Sequence, residues 1–214
     1  GQFAAGAMGI PKWFMDPNMP THTTGTFTAS TPVVSGASQT GSTLAISGMG
    51  TYAFKQGDVF TVAGVYAVNP VSYINTNELQ QFVITADTAG SSTATLPISP
   101  SIITSGQLQT VTASPANSAA ITFLGATGTV SATLSATTSR QSFIFNKGAF
   151  AFVMADLVEN LAGATSKMAR SRKAKISMRW AEQWNIQTDQ SASRCDTIGG
   201  IASILPYFAL RAWS

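Results

Sequence analysis

The chain has 214 residues, of which 44% are hydrophobic and only 10% are charged. An ordinary soluble domain carries about 25% charged residues, and these keep a free monomer in solution. The composition argues against a disordered chain, because disordered chains usually have few hydrophobic residues and a high net charge. It favours a protein whose surface is largely covered by other chains.

The formal net charge of +3 is divided unevenly along the chain. Residues 1–139 hold two lysines against four carboxylates, a net charge of −2, whereas residues 140–214 hold ten basic and five acidic groups, a net charge of +5. No charged residue occurs between Thr88 and Ser139. A boundary near Arg140 therefore separates two regions with different surfaces.

Targeting and redox signals are few. One cysteine, Cys195, permits no intrachain disulfide, which fits a reducing cytoplasm. No run of 18 apolar residues predicts a membrane span, and the start lacks the basic and apolar regions of a signal peptide. The first residue is Gly1 rather than Met, so we expect the chain to begin within a longer gene product.

Residues 1–20 are predicted to form an irregular lead-in, interrupted by Pro11, Pro17 and Pro20. Trp13 and Phe14 give this segment apolar anchors. Such a segment is expected to dock on other structure rather than to fold alone.

Residues 21–139 are predicted to be all-β, because short runs of Thr, Val, Ile and Phe alternate with Gly, Ser, Pro and Asn. Many short strands with closely spaced turn signals are typical of a small barrel or sandwich. The candidate strands are Thr26–Val34, Thr43–Ile46, Val59–Val68, Leu79–Ala86, Thr93–Ile98, Gln107–Thr112, Ala120–Leu124 and Thr129–Leu134.

Residues 140–214 have a different pattern. The segment Ala149–Val158 is apolar on both faces, so periodicity leaves strand and helix open. From Ile176 to Ile186 the pattern has period two: Met178, Trp180 and Trp184 share one face, and polar or small residues share the other. An eleven-residue strand would span about 36 Å, which is longer than most strands of compact domains.

The residue types that catalysis requires are scarce. His22 is the single histidine and is interpreted as an exposed loop residue, since no nucleophile pattern surrounds it. Cys195 is interpreted as a packed structural cysteine. No cluster of zinc ligands and no phosphate-binding loop is present. The sequence therefore predicts no catalytic residue, no cofactor and no metal.

One basic run is the candidate contact site. It is open to two interpretations: contact with nucleic acid or with acidic patches of neighbouring subunits, or a solvated loop. No aromatic residue lies between Lys167 and Lys175, which argues against a base-stacking platform. The candidate residues are Lys167, Arg170, Arg172, Lys173, Lys175 and Arg179.

Several segments resemble the coat proteins of short-tailed phages. Gly57–Pro70 (GDVFTVAGVYAVNP) and Leu79–Asp87 (LQQFVITAD) are similar to the inserted barrel of that family. Phe145–Met154 (FNKGAFAFVM) is similar to its return strand. Its closing strands resemble the segments Ile176–Arg179, Ile186–Asp189, Arg194–Gly200 (RCDTIGG) and Leu205–Arg211 (LPYFALR). The resemblance runs from about Gly9 to the last residues and keeps the order of segments.

The resemblance implies a mainly β fold: a small inserted β-barrel plus long strands of a Hong Kong ninety-seven-like capsid body, α+β overall in the complete subunit. It implies a lead-in from the axial domain over residues 1–20, the barrel over 21–139, and axial and peripheral strands over 140–214. The long helix, extended loop and N-terminal arm of the family would lie upstream, in a missing N-terminal half.

The function that the resemblance implies is that of a major capsid subunit, not an enzyme. It would self-assemble as a homo-oligomer, in capsomers, into an icosahedral head in the host cytoplasm and reside in the virion. The implied partners are scaffolding protein, portal protein and packaged DNA, which would be bound non-specifically. The resemblance implies no contact with a membrane. The alternative is a β-rich adhesin or carbohydrate-binding module, although all four tryptophans lie outside the predicted barrel.

Two departures from the family pattern limit the resemblance. The usual Phe-His-Lys-Asp-Ala-Phe pattern has Asn146 and Gly148 here in place of His and Asp. The hairpin near Ser35–Gly41 is short and uncharged, whereas the family's loop in this region can carry charges that clamp neighbouring capsomers. Burial and hydrogen bonding would have to replace those salt bridges.

Overall fold

A computed structural model describes residues 10, 12–28, 31–124, 136–159, 163–172 and 174–213. Within these ranges the regular structure is β, apart from a 3-10 turn at Pro206–Phe208. The mainly β class is therefore confirmed. Two compact units are present: one comprises the described residues up to Ser142 with Ala212 and Trp213, and the other is Phe143–Arg211.

The strands of the first unit precede Ser142. They are β1 Thr21–Thr23, β2 Thr26–Phe27, β3 Val33–Val34, β4 Gly41–Phe54, β5 Val59–Val68, β6 Asn75–Ile84, β7 Thr88–Ile102, β8 Ile121–Leu124 and the start of β9 Thr138–Phe145. Six of them form an antiparallel sheet in the order β2-β4-β7-β6-β5-β8, with β3 beside β4. In another sheet β1 and β15 (Ala209–Trp213) flank β9.

The large sheet closes on itself through β3. On one side Val34 pairs with Ile46 of β4. On the other side Val33 bridges to Ala120, next to β8, and the Val34 N–H donates to the Ala119 carbonyl at 3.0 Å. Strands β3, β4, β7, β6, β5 and β8 thus form a small closed barrel, an arrangement that removes exposed sheet edges.

The barrel core follows from alternation along the strands. In β7, Ala94, Leu96 and Ile98 are buried while the residues between them face outward, as period two requires. Aromatic rings fill the centre, and Phe54 stacks on Phe123 with 4.8 Å between ring centroids. The period-two pattern of the sequence therefore identifies the inward-facing positions of β7.

Some predicted strands have different bounds or are missing. Candidate strands such as Thr43–Ile46 lie inside longer observed strands, and β2 and β3 occupy the two ends of the predicted strand Thr26–Val34. The predicted strand Gln107–Thr112 is wrong, since only Val111 makes a bridge, to Ala67. There the Thr110 hydroxyl donates to the Ser101 carbonyl at 2.6 Å, which folds the chain back locally. The predicted strand Thr129–Leu134 lies outside the described residues.

The second unit contains two further sheets. Its strands are β10 Phe150–Ala155, β11 Thr165–Arg170, β12 Ser177–Asn185, β13 Gln190–Asp196 and β14 Ile198–Ser203, with most of β15. β10 pairs antiparallel with β14, and β11-β12-β13 form a three-stranded antiparallel sheet. Ala149–Val158, which periodicity left open, therefore contains a strand.

The alternation predicted for β12 is present, over nine residues rather than eleven. Its buried face is the reverse of what hydrophobicity indicates. Ser177, Arg179 and Ala181 are buried, whereas Trp180 is 43% exposed and Trp184 is 58% exposed. Within the described residues, an aromatic face of this sheet is therefore uncovered.

Candidate interaction surfaces

The predicted basic residues lie on the hairpin formed by β11 and β12. Lys167 and Arg170 are in β11, Arg179 is in β12, and Arg172 and Lys175 lie in the connection between the strands. Lys173 lies outside the described residues. The connection is tight, because the Ser171 N–H donates to the Ile176 carbonyl at 2.8 Å and the Lys175 N–H donates back to Ser171 O at 2.9 Å.

These basic residues differ in how they are engaged. Arg170 pairs with Asp156 at 3.1 Å, and both side chains are well exposed, so the pair contributes little to stability. Lys167, Arg172 and Lys175 are exposed. Within the described part of the chain none of these three forms a salt bridge. They are the cations that remain available to an external anion.

Arg179 is engaged inside its own unit. Its Nη2 donates to Asp196 Oδ2 at 2.6 Å, and its Nη1 donates to the Val158 carbonyl at 2.9 Å. Arg179 and Asp196 are register partners across β12 and β13, and Arg194 Nε lies 2.9 Å from the other Asp196 oxygen. Within the described residues, Arg179 therefore acts as a bridge between strands, a role that its place in a basic run did not indicate.

The hydrogen bond from Arg179 lowers the pKa of Asp196 below its ordinary value, with the positive charges of Arg194 and Arg179 acting in the same direction. A carboxyl group whose pKa is lower in the folded than in the unfolded protein stabilises the folded state at pH values above its unfolded-state pKa, which is near 4. This contribution to stability is lost as the pH falls through the folded-state pKa.

We therefore expect the wild-type protein to lose stability between about pH 4 and the lower folded-state pKa of Asp196, and Asp196→Asn to lose less over that window. Thermal melting followed by circular dichroism at pH 7 and at several values below pH 4 measures the difference. Asp189→Asn, an exposed carboxylate in the neighbouring turn, is the control. Equal acid sensitivity of wild type and Asp196→Asn would contradict the assignment.

His22 is placed differently from the prediction of an exposed loop residue. It lies in β1, with 17% of its side chain exposed, and its Nε2 is 3.0 Å from Oδ1 of the buried Asp58. Because a carboxylate only accepts hydrogen bonds, the imidazole is the donor. The prediction was wrong because the partner lies 36 positions further along the chain.

Asp58 is the centre of a buried cluster. Its oxygens accept hydrogen bonds from the Gly25 N–H at 3.0 Å and the Lys55 N–H at 2.8 Å as well as from His22. A Cβ at Gly25 would lie 2.5 Å from the Ala53 carbonyl and 2.7 Å from Asp58 Oδ2, so only glycine fits. The His–Asp pair is thus held by backbone donors and links β1 to the β4–β5 turn.

Two other chemical features bear on function. Within the ranges that the structure covers, no group of three or more His, Cys, Asp or Glu side chains could hold a metal ion. Cys195, predicted to be packed, is exposed. It lies opposite Trp180 in the β12–β13 register. None of the described helical structure is long and apolar enough to cross a membrane.

Large apolar side chains are exposed on both sheets of the second unit. On the β11-β12-β13 sheet they are Met178, Trp180 and Trp184, and on the β10–β14 ribbon they include Phe152, Val153 and Ile201. Contiguous exposed apolar patches are rare on soluble monomers and usually mark interaction surfaces. These exposed apolar faces are therefore candidate binding surfaces.

The family described as "P22 coat protein - gene protein 5" matches residues 34–209, which is more than half of the chain. The chain belongs to this coat protein family. Among solved structures, the CUS-3 coat protein I-domain is similar, with 27% identity and a TM-score of 0.34. That match covers 45% of this chain and 96% of the I-domain chain. No curated protein sequence matches.

Membership confirms the resemblance to phage coat proteins that the segments between Gly57 and Arg211 indicate. A coat protein family implies a structural, capsid-related role and a place in the virion capsid. The exposed apolar faces of the coat protein are consistent with that role, because a shell subunit is covered by its neighbours.

Proposed function

We propose that this coat protein is a major capsid subunit, not an enzyme, that self-assembles through capsomers into the icosahedral head enclosing the phage genome. The observation that carries the proposal is the reversed face of β12, where Trp180 and Trp184 are exposed and Arg179 is buried. Evolution would be expected to remove exposed tryptophans from a free monomer, whereas an assembly interface uses them as anchors.

The energetics of repeated contact support assembly. Covering apolar surface stabilises an interface by about 25 cal/mol per Å², part of which is offset by the entropy lost on association. Each face alone would bind weakly. A subunit that engages several faces at once gains from high effective concentration, so a closed shell is stable although single contacts are modest.

We further propose that the coat protein has the domain division expected from its sequence: a lead-in over residues 1–20, an inserted barrel over 21–139 and capsid-body strands over 140–214. In this proposal the complete subunit includes an N-terminal half, assembles in the host cytoplasm, and works with scaffolding and portal proteins. The closed barrel and the separate second unit support the division.

The basic hairpin is proposed to contact packaged DNA non-specifically or an acidic patch of a neighbouring subunit. The exposed and unbridged Lys167, Arg172 and Lys175 support this role, with Arg170 and Lys173 contributing positive charge. Arg179 would contribute indirectly, because it holds β12 against β13. A phosphate contact of this kind would weaken as salt concentration rises.

We expect the protein, expressed from its complete reading frame, to form icosahedral particles visible by electron microscopy. Trp184→Gln should prevent or strongly reduce particle formation while the melting temperature stays close to that of wild type, since the side chain is 58% exposed. Gln183→Ser, at the adjacent position of β12, is the matched control and should assemble normally. A dispersed wild-type monomer would reject the proposed function.

A further inference from the structure

Strand pairing brings an aromatic ring beside the basic run, although the sequence places none between Lys167 and Lys175. Trp180 of β12 lies directly opposite Lys167 of β11 in the antiparallel register. Directly opposite residues project from the same face of a sheet, with Cβ atoms about 5 Å apart. Lys167 is exposed, and Trp180 is 43% exposed. An indole ring and an ammonium group are therefore neighbours on one open face.

The neighbours of Trp180 on this face are small. Its register partner on the β13 side is Cys195, which is exposed. On the β11 side, Ala169 follows Lys167 on the same face, because alternate residues of a strand share a face. A ring bordered by short side chains has room for a planar group to stack on it.

A carboxylate limits the site in one direction. Beyond Trp180, the same face of β12 carries Glu182 and then Trp184. The Glu182 Oε1 accepts a hydrogen bond from the Ser191 hydroxyl at 2.5 Å, which holds this carboxylate in place. Because a carboxylate repels other anions, a polyanion would extend from Trp180 toward the basic connection. Trp184 lies outside the site and is left to the assembly contact proposed above.

Positive charge continues in the other direction. Arg172 and Lys175 lie in the connection between β11 and β12, and both are exposed. Among the salt bridges of the described residues, none involves Lys167, Arg172 or Lys175. Five residues separate Lys175 from Trp180, which is at most about 18 Å of chain. Three cations therefore lie within reach of one extended ligand that also contacts the ring.

This combination identifies the chemistry of the ligand. Proteins bind single-stranded nucleic acid by stacking unpaired bases on aromatic rings and by pairing phosphates with basic side chains. In a duplex the bases already stack on one another, so they offer no free face to an indole ring. An acidic protein surface would pair with the cations but would not require the ring.

We propose that a stacking site formed by Trp180, Lys167, Arg172 and Lys175 binds single-stranded nucleic acid. One base stacks on Trp180, and the three cations hold the neighbouring phosphates. The inference deepens the proposed function and rests on one part of it, the contact between the basic hairpin and nucleic acid.

The test follows the fluorescence anisotropy of a labelled oligodeoxythymidine titrated with the full chain. Trp180→Gln should weaken binding about tenfold, the effect of losing one stacked base. Trp180→Phe keeps an aromatic ring and should recover most of that loss. Trp184→Gln, the matched control on the same strand, should change the dissociation constant less than twofold. Thermal melting must show that each variant is folded.

Lys167→Gln tests the phosphate contacts without altering the ring. The logarithm of the wild-type association constant should fall with the logarithm of salt concentration with a slope of about −2, because each of three cations contributes about −0.7 on a single strand. Lys167→Gln should reduce the size of that slope by about 0.7. Because Lys167 is exposed, this variant should fold even if Trp180→Gln does not.

Equal weakening by Trp180→Gln and Trp184→Gln overturns the inference, as does a salt slope that Lys167→Gln leaves unchanged. Binding of duplex DNA as tightly as oligodeoxythymidine also overturns it, because the chain would then contact phosphates alone. Binding of polyglutamate with the same dependence on Trp180 would assign the face to an acidic protein surface instead.

Electron microscopy of the product of the complete reading frame separates this inference from the proposed function. Particles, together with salt-dependent DNA binding that does not depend on Trp180, reject the inference and leave the proposed function standing. Oligodeoxythymidine binding through Trp180 without particles supports the inference and rejects the proposed shell. Particles formed by a chain that binds no nucleic acid reject the inference and the proposed hairpin contact together.

Discussion

Replacing Phe60 with alanine should lower the free energy of unfolding by about 3–5 kcal/mol. Phe60 is fully buried in the barrel and packs between Phe82 and Phe123, with ring centroids 5.7 Å and 5.4 Å away. The loss combines the transfer of a large apolar side chain with a cavity that the closed barrel cannot collapse to fill. Urea denaturation followed by circular dichroism measures it.

Phe14→Ala is the matched control, because this phenylalanine is 88% exposed. Its replacement should change the free energy of unfolding by less than about 0.5 kcal/mol. If both variants lost similar stability, the burial assigned to Phe60 would be wrong. If neither lost any, the barrel would not be the stable unit of the chain.

Replacing Asp58 with alanine should destabilise the protein by about 3–5 kcal/mol, because each buried hydrogen-bonding group that loses its partner costs about 1–3 kcal/mol. The variant would leave the Gly25 and Lys55 N–H groups and the His22 ring without their acceptor. Asp58→Asn keeps the shape and one acceptor oxygen, so its loss should be intermediate. Thermal and urea unfolding at pH 7 provide the measurement.

Asp87→Ala is the control for Asp58. Asp87 forms an ion pair close to Asp58: its Oδ2 lies 2.8 Å from Lys55 Nζ. Both of these side chains are more than half exposed. Exposed ion pairs contribute little, so the loss should be much smaller than for Asp58→Ala. An Asp58→Ala protein as stable as Asp87→Ala would show that the buried cluster around Asp58 does not stabilise the link between β1 and the β4–β5 turn.

The sequence predicted the strands best where local pattern and burial agree. In β8 alternating apolar residues mark the inner face, in β5 the buried Phe60 and Val62 alternate before the register shifts at a bulge, and both predicted strands are present within a residue of their bounds. Residues Gln107–Thr112 have a similar composition but do not form a strand, because the Thr110 hydroxyl donates to the carbonyls of Ser101 and Ile103. Propensity alone does not include that competing hydrogen bond.

Which face of β12 is buried could not be predicted from periodicity. Period two assigns side chains to two faces but does not say which face is covered. The buried face is decided by the Arg179–Asp196 pair and the Val158 carbonyl, which are contacts between residues far apart in the chain. The His22–Asp58 contact was missed for the same reason, since 36 residues separate its partners.

Closure of the barrel has a consequence for biosynthesis. The barrel closes where Val33 bridges to Ala120, and Val33 belongs to β3, a strand of only two residues. Contacts of such long sequence separation form late, because the loop entropy must be overcome before they stabilise the fold. A nascent chain that has not yet emerged as far as Ile121 presents an open sheet with unpaired edges. Ribosomal pausing upstream of that point would therefore favour aggregation.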